Sequence, residues 1–261
     1  MNLWKNLDKI TTQLQNNPTK ALLLDFDGTL APIVKSPEKA RLSIKTRSML
    51  KNFCQKPGFY LAIISGRKLE DVKEKVRLPN IIYGGNHGLE GEISGKKYSF
   101  PIPNRALKAL EKIHVQLDKI ASQFTGVFVE DKESVLAFHY RMAEKDQIPS
   151  IKSLFKEMLK PFIENELISA VSGKMVFDIR PKVVWSKGAF AKLIVNVIHI
   201  KTKAAPIVIY IGDDVTDEDV FKKLKNEITI KVGKRSKSFA RYRLKDTKEV
   251  FKFLEWLLVY T

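Results

Sequence analysis

The chain has 261 residues, 44% of them hydrophobic and 29% charged, enough to bury one large core or two modest ones and too apolar for a disordered chain. A single cysteine, Cys54, excludes an internal disulfide and suits a reducing compartment, and no apolar run is long enough to span a membrane. The net charge of +17 raises a nucleic-acid reading, but no zinc-ligand spacing, RNA-binding aromatic motif or long basic arm accompanies it, and a positive field serves equally to draw in a small anionic substrate.

In chain order, Leu3, Leu7, Ile10 and Leu14 recur at helical spacing and are interrupted by charges. This is the pattern of a soluble helix rather than a signal peptide, and a cytoplasmic protein without a membrane anchor is expected. ALLLDFD at 21–27 reads as a strand ending in acids, TRSMLKNFCQ at 46–55 as a helix, and FYLAIISG at 59–66 as a second strand ending in Ser-Gly. Within that first helix Cys54 is read as a small core residue. RKLEDVKEKV at 67–76 is an amphipathic helix, and NIIYGGNHG at 80–88 is a third strand running into a glycine-rich loop.

The pattern then changes. A helix at 104–124 precedes two alternating strands, GVFVEDK at 126–132 and SVLAFHYRM at 134–142. A second helix, SIKSLFKEMLKPFI at 150–163, leads to the strands LISAVSG and KMVFDIRP at 167–181. PIVIYIGDD at 206–214 is again a continuous apolar strand with acids at its end. Residues 231–245 carry seven basic side chains (Lys231, Lys234, Arg235, Lys237, Arg241, Arg243, Lys245) and no acid, and read as a solvated basic surface.

Strands that are apolar at successive positions are buried on both faces, as in parallel sheets. Their alternation with helices predicts a doubly wound α/β core, and helices set apart from meandering strands predict an α+β module inserted into it. The expected division is a discontinuous core, 1–102 with 182–261, and a cap, 103–181, with hinges at PIPN (101–104) and RPK (180–182). Ligands bind doubly wound sheets at the carboxyl ends of the strands. Asp25, Asp27, Ser65, Asp213 and Asp214 all fall there.

Asp25 and Asp27, two positions apart at a strand end before Gly28, would crowd one site. Like charges that close favour an intervening cation, and magnesium prefers such oxygen ligands; an ordinary Asp-Gly turn is the alternative. The second acidic strand end adds Asp213, able to complete a metal's oxygen shell, and Asp214, able to hold water or Lys187. Asp217 is open to either a functional or a capping role, while Glu218 and Asp219 read as first-turn acids of a helix. Ser65 and Gly66, before Arg67 at a helix start, form a ready phosphate site, or a plain serine cap. Lys187 precedes Gly188 at another helix start, where a lysine can neutralise a transferring phosphoryl group.

DFDGTLAPI, ISGR, GNHGLE, FHYR, SGKMVFDIRP, SKG and GDDVTDEDVF stand in the order found in the trehalose-6-phosphate phosphatase family of the haloacid dehalogenase superfamily, which the chain resembles from about residue 20 to 245. The resemblance implies the superfamily's Rossmann-like core and inserted cap, a Mg2+ cofactor, and hydrolysis of trehalose 6-phosphate through an aspartyl-phosphate. Asp25 would be the nucleophile and Asp27 the general acid and base. Ser65, Gly66 and Lys187 would hold the phosphoryl group. Asp25, Asp213 and the backbone carbonyl of Asp27 would hold the metal, with Asp214 close behind.

For the sugar, the family's Lys-x-x-x-Glu-x-Arg element here reads Lys174, Asp178, Arg180, and strand alternation would put all three on one face. Aspartate replaces the family's glutamate and shortens the reach by about one methylene. Asn86, His87, Glu90 and Arg141 complete the expected sugar contacts, with His139 and Arg141 equally suited to cross-strand bridging. A phosphatase for another sugar phosphate, such as glucosylglycerol phosphate or mannosyl-3-phosphoglycerate, is the nearest rival. A catalytically silent regulator is disfavoured because both motif acids are present. The expected partners are a small sugar phosphate and a trehalose-phosphate synthase on a separate chain, with no nucleic acid and no membrane, and a monomeric state is expected.

Overall fold

A computed structural model describes every residue except Lys35, Arg235, Ser236 and Thr261. In chain order its elements are α1 (Leu7–Gln15), β1 (Lys20–Leu24), α2 (Ile44–Gln55), β2 (Phe59–Ile64), α3 (Leu69–Val76), β3 (Ile82–Gly85), β4 (Glu90–Ile93) and β5 (Lys96–Ser99). There follow α4 (Asn104–Ala121), β6 (Phe128–Asp131), β7 (Leu136–His139), α5 (Ile148–Glu164), β8 (Ile168–Ser172) and β9 (Val176–Pro181). The chain ends in α6 (Lys187–Thr202), β10 (Ile207–Gly212), α7 (Asp217–Lys223), β11 (Ile228–Val232), β12 (Tyr242–Leu244) and α8 (Thr247–Tyr260). Short 3-10 turns precede α1 and follow β3. Two compact units result: Met1–Ser99 with Trp185–Thr261, and Phe100–Val184.

The first unit is built on an eight-stranded sheet in the order β12-β11-β10-β1-β2-β3-β4-β5. The strands from β12 to β3 run parallel, and the β4–β5 hairpin adds an antiparallel edge. Alternation within each apolar strand sends successive side chains to opposite faces. Leu22 and Leu24 of β1, Ile63 of β2, Ile211 of β10 and Ile230 of β11 join one core with α1, α2, α3 and α8. Ala21, Leu23, Ala62, Ile64, Val208 and Tyr210 join another with α6 and α7. Every residue of β1 is buried, and truncating a leucine there to alanine would cost about 2–5 kcal/mol. Two covered faces leave the carboxyl edge of the parallel strands as the place where polar side chains can collect.

The second unit is a four-stranded antiparallel sheet, β6-β7-β9-β8, with α4 and α5 on one face. Leu136, Phe138, Phe177 and Ile179 point into that core, where the rings of Phe155 and Phe177 stack at 4.2 Å between centroids. By alternation Glu130, His139, Asp178 and Arg180 lie on the other face.

Three expectations are corrected. Cys54 is exposed: α2 buries Thr46, Met49, Leu50 and Phe53, and Cys54 falls on the flank of that stripe, its thiol bonded to the Leu50 carbonyl at 3.2 Å. Lys174 does not share a strand with Asp178 and Arg180. It lies in the turn before β9, because Met175 at φ 65° leaves the extended region and interrupts the alternation. The basic stretch 231–245 is not wholly a solvated surface, since Lys231 is buried at a strand end; Arg235 of that stretch lies outside the described residues. Among the described residues, no helix is long and apolar enough to cross a membrane.

Candidate active site

The site sits at the carboxyl ends of the two central strands. The chain leaves β1 through Asp25, whose N–H donates to the carbonyl of Ile211 on β10 at 2.9 Å. The turn then closes with Gly28 N–H to Ala31 carbonyl at 2.7 Å. Gly28 has φ 81°, and a Cβ there would overlap the Asp213 carboxylate. Glycine is therefore needed both for the left-handed turn and for the approach of the second acidic strand end.

Lys187, the first residue of α6, points its ammonium between two carboxylates, 2.6 Å from Asp25 Oδ1 and 2.6 Å from Asp217 Oδ1. All three side chains are almost wholly buried. Tyr210, on β10, donates its hydroxyl to the same Asp217 oxygen at 2.6 Å, and the Asp214 N–H donates to the other at 2.8 Å. Asp217 is thus a fully bonded anion in the interior. Lys187 pairs with Asp25 and Asp217, whereas the sequence reading has Asp214 holding either water or Lys187.

Electrostatics follow from this packing. Burial pushes the Asp25 carboxyl well up; Asp217 and Asp213 push the same way, and the Lys187 ammonium opposes them. Burial also works against ionisation of Asp217, but the Lys187 charge and the bonds from Lys187 and Tyr210 outweigh it and hold that carboxyl below its ordinary value. Lys187 is raised: burial would lower it, and Asp217 and Asp25 overcome that cost.

Oxygens of Asp25, Asp213 and Asp217 lie within 4.8 Å of one another. A set of carboxylate oxygens this close is the donor type a hard divalent cation takes, and Mg2+ commonly uses only one or two of them. The residues therefore fit magnesium. A cation there would also offset the burial that raises the Asp25 carboxyl.

Asp27 is more exposed, with 40% of its side chain accessible. Arg67 grips it twice, Nε to Oδ2 at 2.6 Å and Nη2 to Oδ1 at 2.8 Å. The same guanidinium bonds Asp71 at 2.7 Å and the Pro37 carbonyl at 2.9 Å. Ser65 is buried at the end of β2, and its hydroxyl accepts the Arg67 N–H at 3.2 Å. His87 donates its N–H to the Ser65 carbonyl at 2.9 Å, and a Cβ on Gly66 would overlap the His87 ring. The structure thus brings Ser65, Gly66, Asn86 and His87 together beside β2. Glu90 is turned to support: one oxygen accepts Asn86 Nδ2 and the Leu69 N–H, each at 2.9 Å.

In the second unit Asp178 lies 3.5 Å from Arg180 Nη2 and 3.6 Å from the buried Lys132 ammonium. His139 bonds Glu130 at 2.9 Å and stacks on Phe128, and Arg141 donates to the Lys174 carbonyl at 2.6 Å.

Sequence reasoning missed Tyr210, and it left Asp217 undecided. Tyr210 is polar in an otherwise apolar strand, two residues before Gly212. That signal was present. Asp219 lies in the first turn of α7, as read from the sequence, and also accepts the Gly188 N–H at 3.0 Å, fixing the start of α6 from which Lys187 projects.

Comparison with known proteins identifies the family of the chain. The profile of the family described as Trehalose-phosphatase matches residues 23–249. Trehalose-phosphate phosphatase B of Arabidopsis thaliana is 31% identical over 250 residues, covering 91% of this chain and 66% of the plant protein. Trehalose-phosphate phosphatase of Mycobacterium marinum is 34% identical over 207 residues, covering 78% of this chain and 51% of that protein. The chain therefore spans between half and two thirds of these relatives. In fold, it resembles the C-terminal domain of C. albicans trehalose-6-phosphate phosphatase, with a TM-score of 0.87, 23% identity and 97% of each chain covered.

Proposed function

The chain belongs to the trehalose-phosphatase family, and from that premise we propose that it is a magnesium-dependent phosphatase that hydrolyses trehalose 6-phosphate to trehalose and phosphate. The observation that carries the reading is the buried Asp25–Lys187–Asp217 array beside Asp213 at the end of β1. It supplies a nucleophilic carboxylate, a fixed cation and a set of metal-binding oxygens around one point.

Asp25 attacks phosphorus, and the bond from phosphorus to the sugar oxygen breaks. Asp27 gives its proton to that oxygen as trehalose leaves, and an aspartyl-phosphate remains on Asp25. Asp27 then takes a proton from the water that attacks the same phosphorus, and phosphate departs with the Asp25 carboxylate restored. Ser65, the Gly66 backbone and Lys187 hold the phosphoryl oxygens through both steps. Asp25 and Asp213, with the Asp27 backbone carbonyl and with Asp214 or Asp217 behind, would hold the magnesium ion. Bound there, magnesium supplies positive charge against the phosphoryl oxygens and lowers the cost of an ionised Asp25.

The candidate sugar contacts of the first unit are Asn86 and His87; the second unit, taken by itself, carries Arg141, Lys174, Asp178 and Arg180. Asp178 supports a second reading. It is a methylene shorter than glutamate and is already engaged by Lys132 and Arg180. A different sugar phosphate would suit such a receded carboxylate.

The test is phosphate release from trehalose 6-phosphate, glucosylglycerol phosphate and mannosyl-3-phosphoglycerate, with and without Mg2+, for the wild type and Asp25→Asn. Preference for trehalose 6-phosphate, dependence on Mg2+ and an inert but folded Asp25→Asn are the expected results. Equal rates across the panel would remove the trehalose assignment, and turnover by Asp25→Asn would remove the mechanism.

A further inference from the structure

Lys231 closes the inner end of the basic stretch, but its side chain is only 9% exposed. It stands on β11 in register with Gly212 of β10, the residue before Asp213. Its ammonium donates to the backbone carbonyl of Asp214 at 2.9 Å. That carbonyl also accepts the Asp217 N–H at 3.2 Å, and the Asp214 N–H returns to Asp217 Oδ2 at 2.8 Å. One tight turn therefore sets the separation of Asp213 and Asp217, and Lys231 is the side chain that holds the turn's carbonyl from outside.

A cation this close to a metal-binding turn would repel the metal unless its charge were matched. Glu218 matches it, with Oε1 3.3 Å from the Lys231 ammonium. Glu218 is itself held from the other side, its Oε2 accepting the Phe239 N–H at 2.9 Å and the Ser238 hydroxyl at 3.2 Å. Lys231 thus acts as a tether of fixed length whose charge is matched by Glu218.

We propose that Lys231 is a positioning residue for the divalent-cation site: through the Asp214 carbonyl it fixes the spacing of the Asp213 and Asp217 carboxylates and so sets the affinity for magnesium. The inference rests on the proposed magnesium dependence. Groups that orient metal ligands without touching the metal typically change its affinity about 10–100-fold when removed.

The experiment is isothermal titration of Mg2+ into the full chain for the wild type, Lys231→Met and Lys231→Arg, with kcat and KM for trehalose 6-phosphate measured at saturating Mg2+. Lys231→Met is expected to weaken Mg2+ binding about 10-fold or more. Lys231→Arg keeps a cationic donor and is expected to stay within about 3-fold of the wild type. KM for the sugar phosphate should be unchanged in both. Wild-type affinity in Lys231→Met overturns the inference alone, as does equal weakening in Lys231→Met and Lys231→Arg, which would mark a packing effect. Should Lys231→Met not fold, Lys231→Arg decides: near-wild-type affinity supports the tether and a 10-fold loss overturns it. A wild type that binds no Mg2+ overturns the metal reading itself, and this inference with it.

Discussion

Arg67 holds both carboxylate oxygens of Asp27, at 2.6 and 2.8 Å, while bonding Asp71 with its third nitrogen. Asp27 is the group assigned to move protons, so this clamp decides where its carboxyl points when substrate arrives. A bidentate guanidinium fixes both the position and the plane of its partner, which an ammonium cannot do.

Replacing Arg67 by lysine is therefore expected to lower kcat about 10–100-fold while changing KM little, since misplacing a catalytic group by about 1 Å has effects of that size. Steady-state phosphate release separates the two constants. A KM effect with kcat intact would place Arg67 in substrate binding instead.

Lys187 gives a second prediction, about stability. Its ammonium is buried between Asp25 and Asp217. Lys187→Met leaves two carboxylates in the interior with no cation and should destabilise the metal-free protein by about 3–5 kcal/mol. Lys187→Met with Asp217→Asn removes one of the stranded charges and should recover part of that loss. Urea unfolding of the four members of this cycle measures the coupling. Strictly additive effects would show that Lys187 and Asp217 do not act as a pair.

Asp219 gives a pH dependence with a definite sign. It is half-buried, and burial works against its ionisation. Bonds from Ser186, Lys223 and the Gly188 N–H nevertheless leave its carboxyl below the ordinary aspartate value. A carboxyl depressed in the folded state adds stability above its unfolded value near 3.8, and that stability disappears as pH falls through the lower folded value. Asp219→Ala should therefore melt below the wild type at pH 7, by the equivalent of about 1 kcal/mol as for other helix-start acceptors. The two melting curves should converge as pH drops from about 4 toward 2. A gap independent of pH would assign the effect to packing.

These sites differ in how far the sequence alone reveals them. The runs ALLLDFD, FYLAIISG and PIVIYIGDD declared a parallel sheet, because only a strand covered on both faces stays apolar at every position, and their polar last residues marked the edge where the site lies. The edge hairpin β4–β5 carried no such signal. Its residues are mostly half-buried or exposed, so neither period stands out. Asp217, Glu218 and Asp219 are consecutive acids, and composition cannot separate them. Folded, one meets Lys187, the next Lys231 and the third the Gly188 N–H. That division depends on neighbours brought by α6 (Lys187 and Gly188) and by β11 (Lys231). Lys174 was misplaced for the opposite reason: a left-handed Met175 broke an alternation that the sequence displays without interruption.

Gly28 joins local backbone to the proposed metal site most directly. At φ 81° it occupies a region costly for any residue with a Cβ, and the space such a carbon would fill is held by the Asp213 carboxylate. Gly28→Ala must therefore shift the turn, displace Asp213, or both. Backbone strain of this kind costs about 1–2 kcal/mol, which a core of this size can absorb, so the variant should fold. Displacement of Asp213 from Asp25 is a separate loss, because the oxygens of Asp25, Asp213 and Asp217 then no longer converge within 4.8 Å. The expected signature is a melting temperature in chelator only slightly below the wild type, together with loss of most of the rise that Mg2+ is expected to produce in the wild type. An undiminished Mg2+ response in Gly28→Ala would show that Asp213 is not held against that glycine when the metal binds.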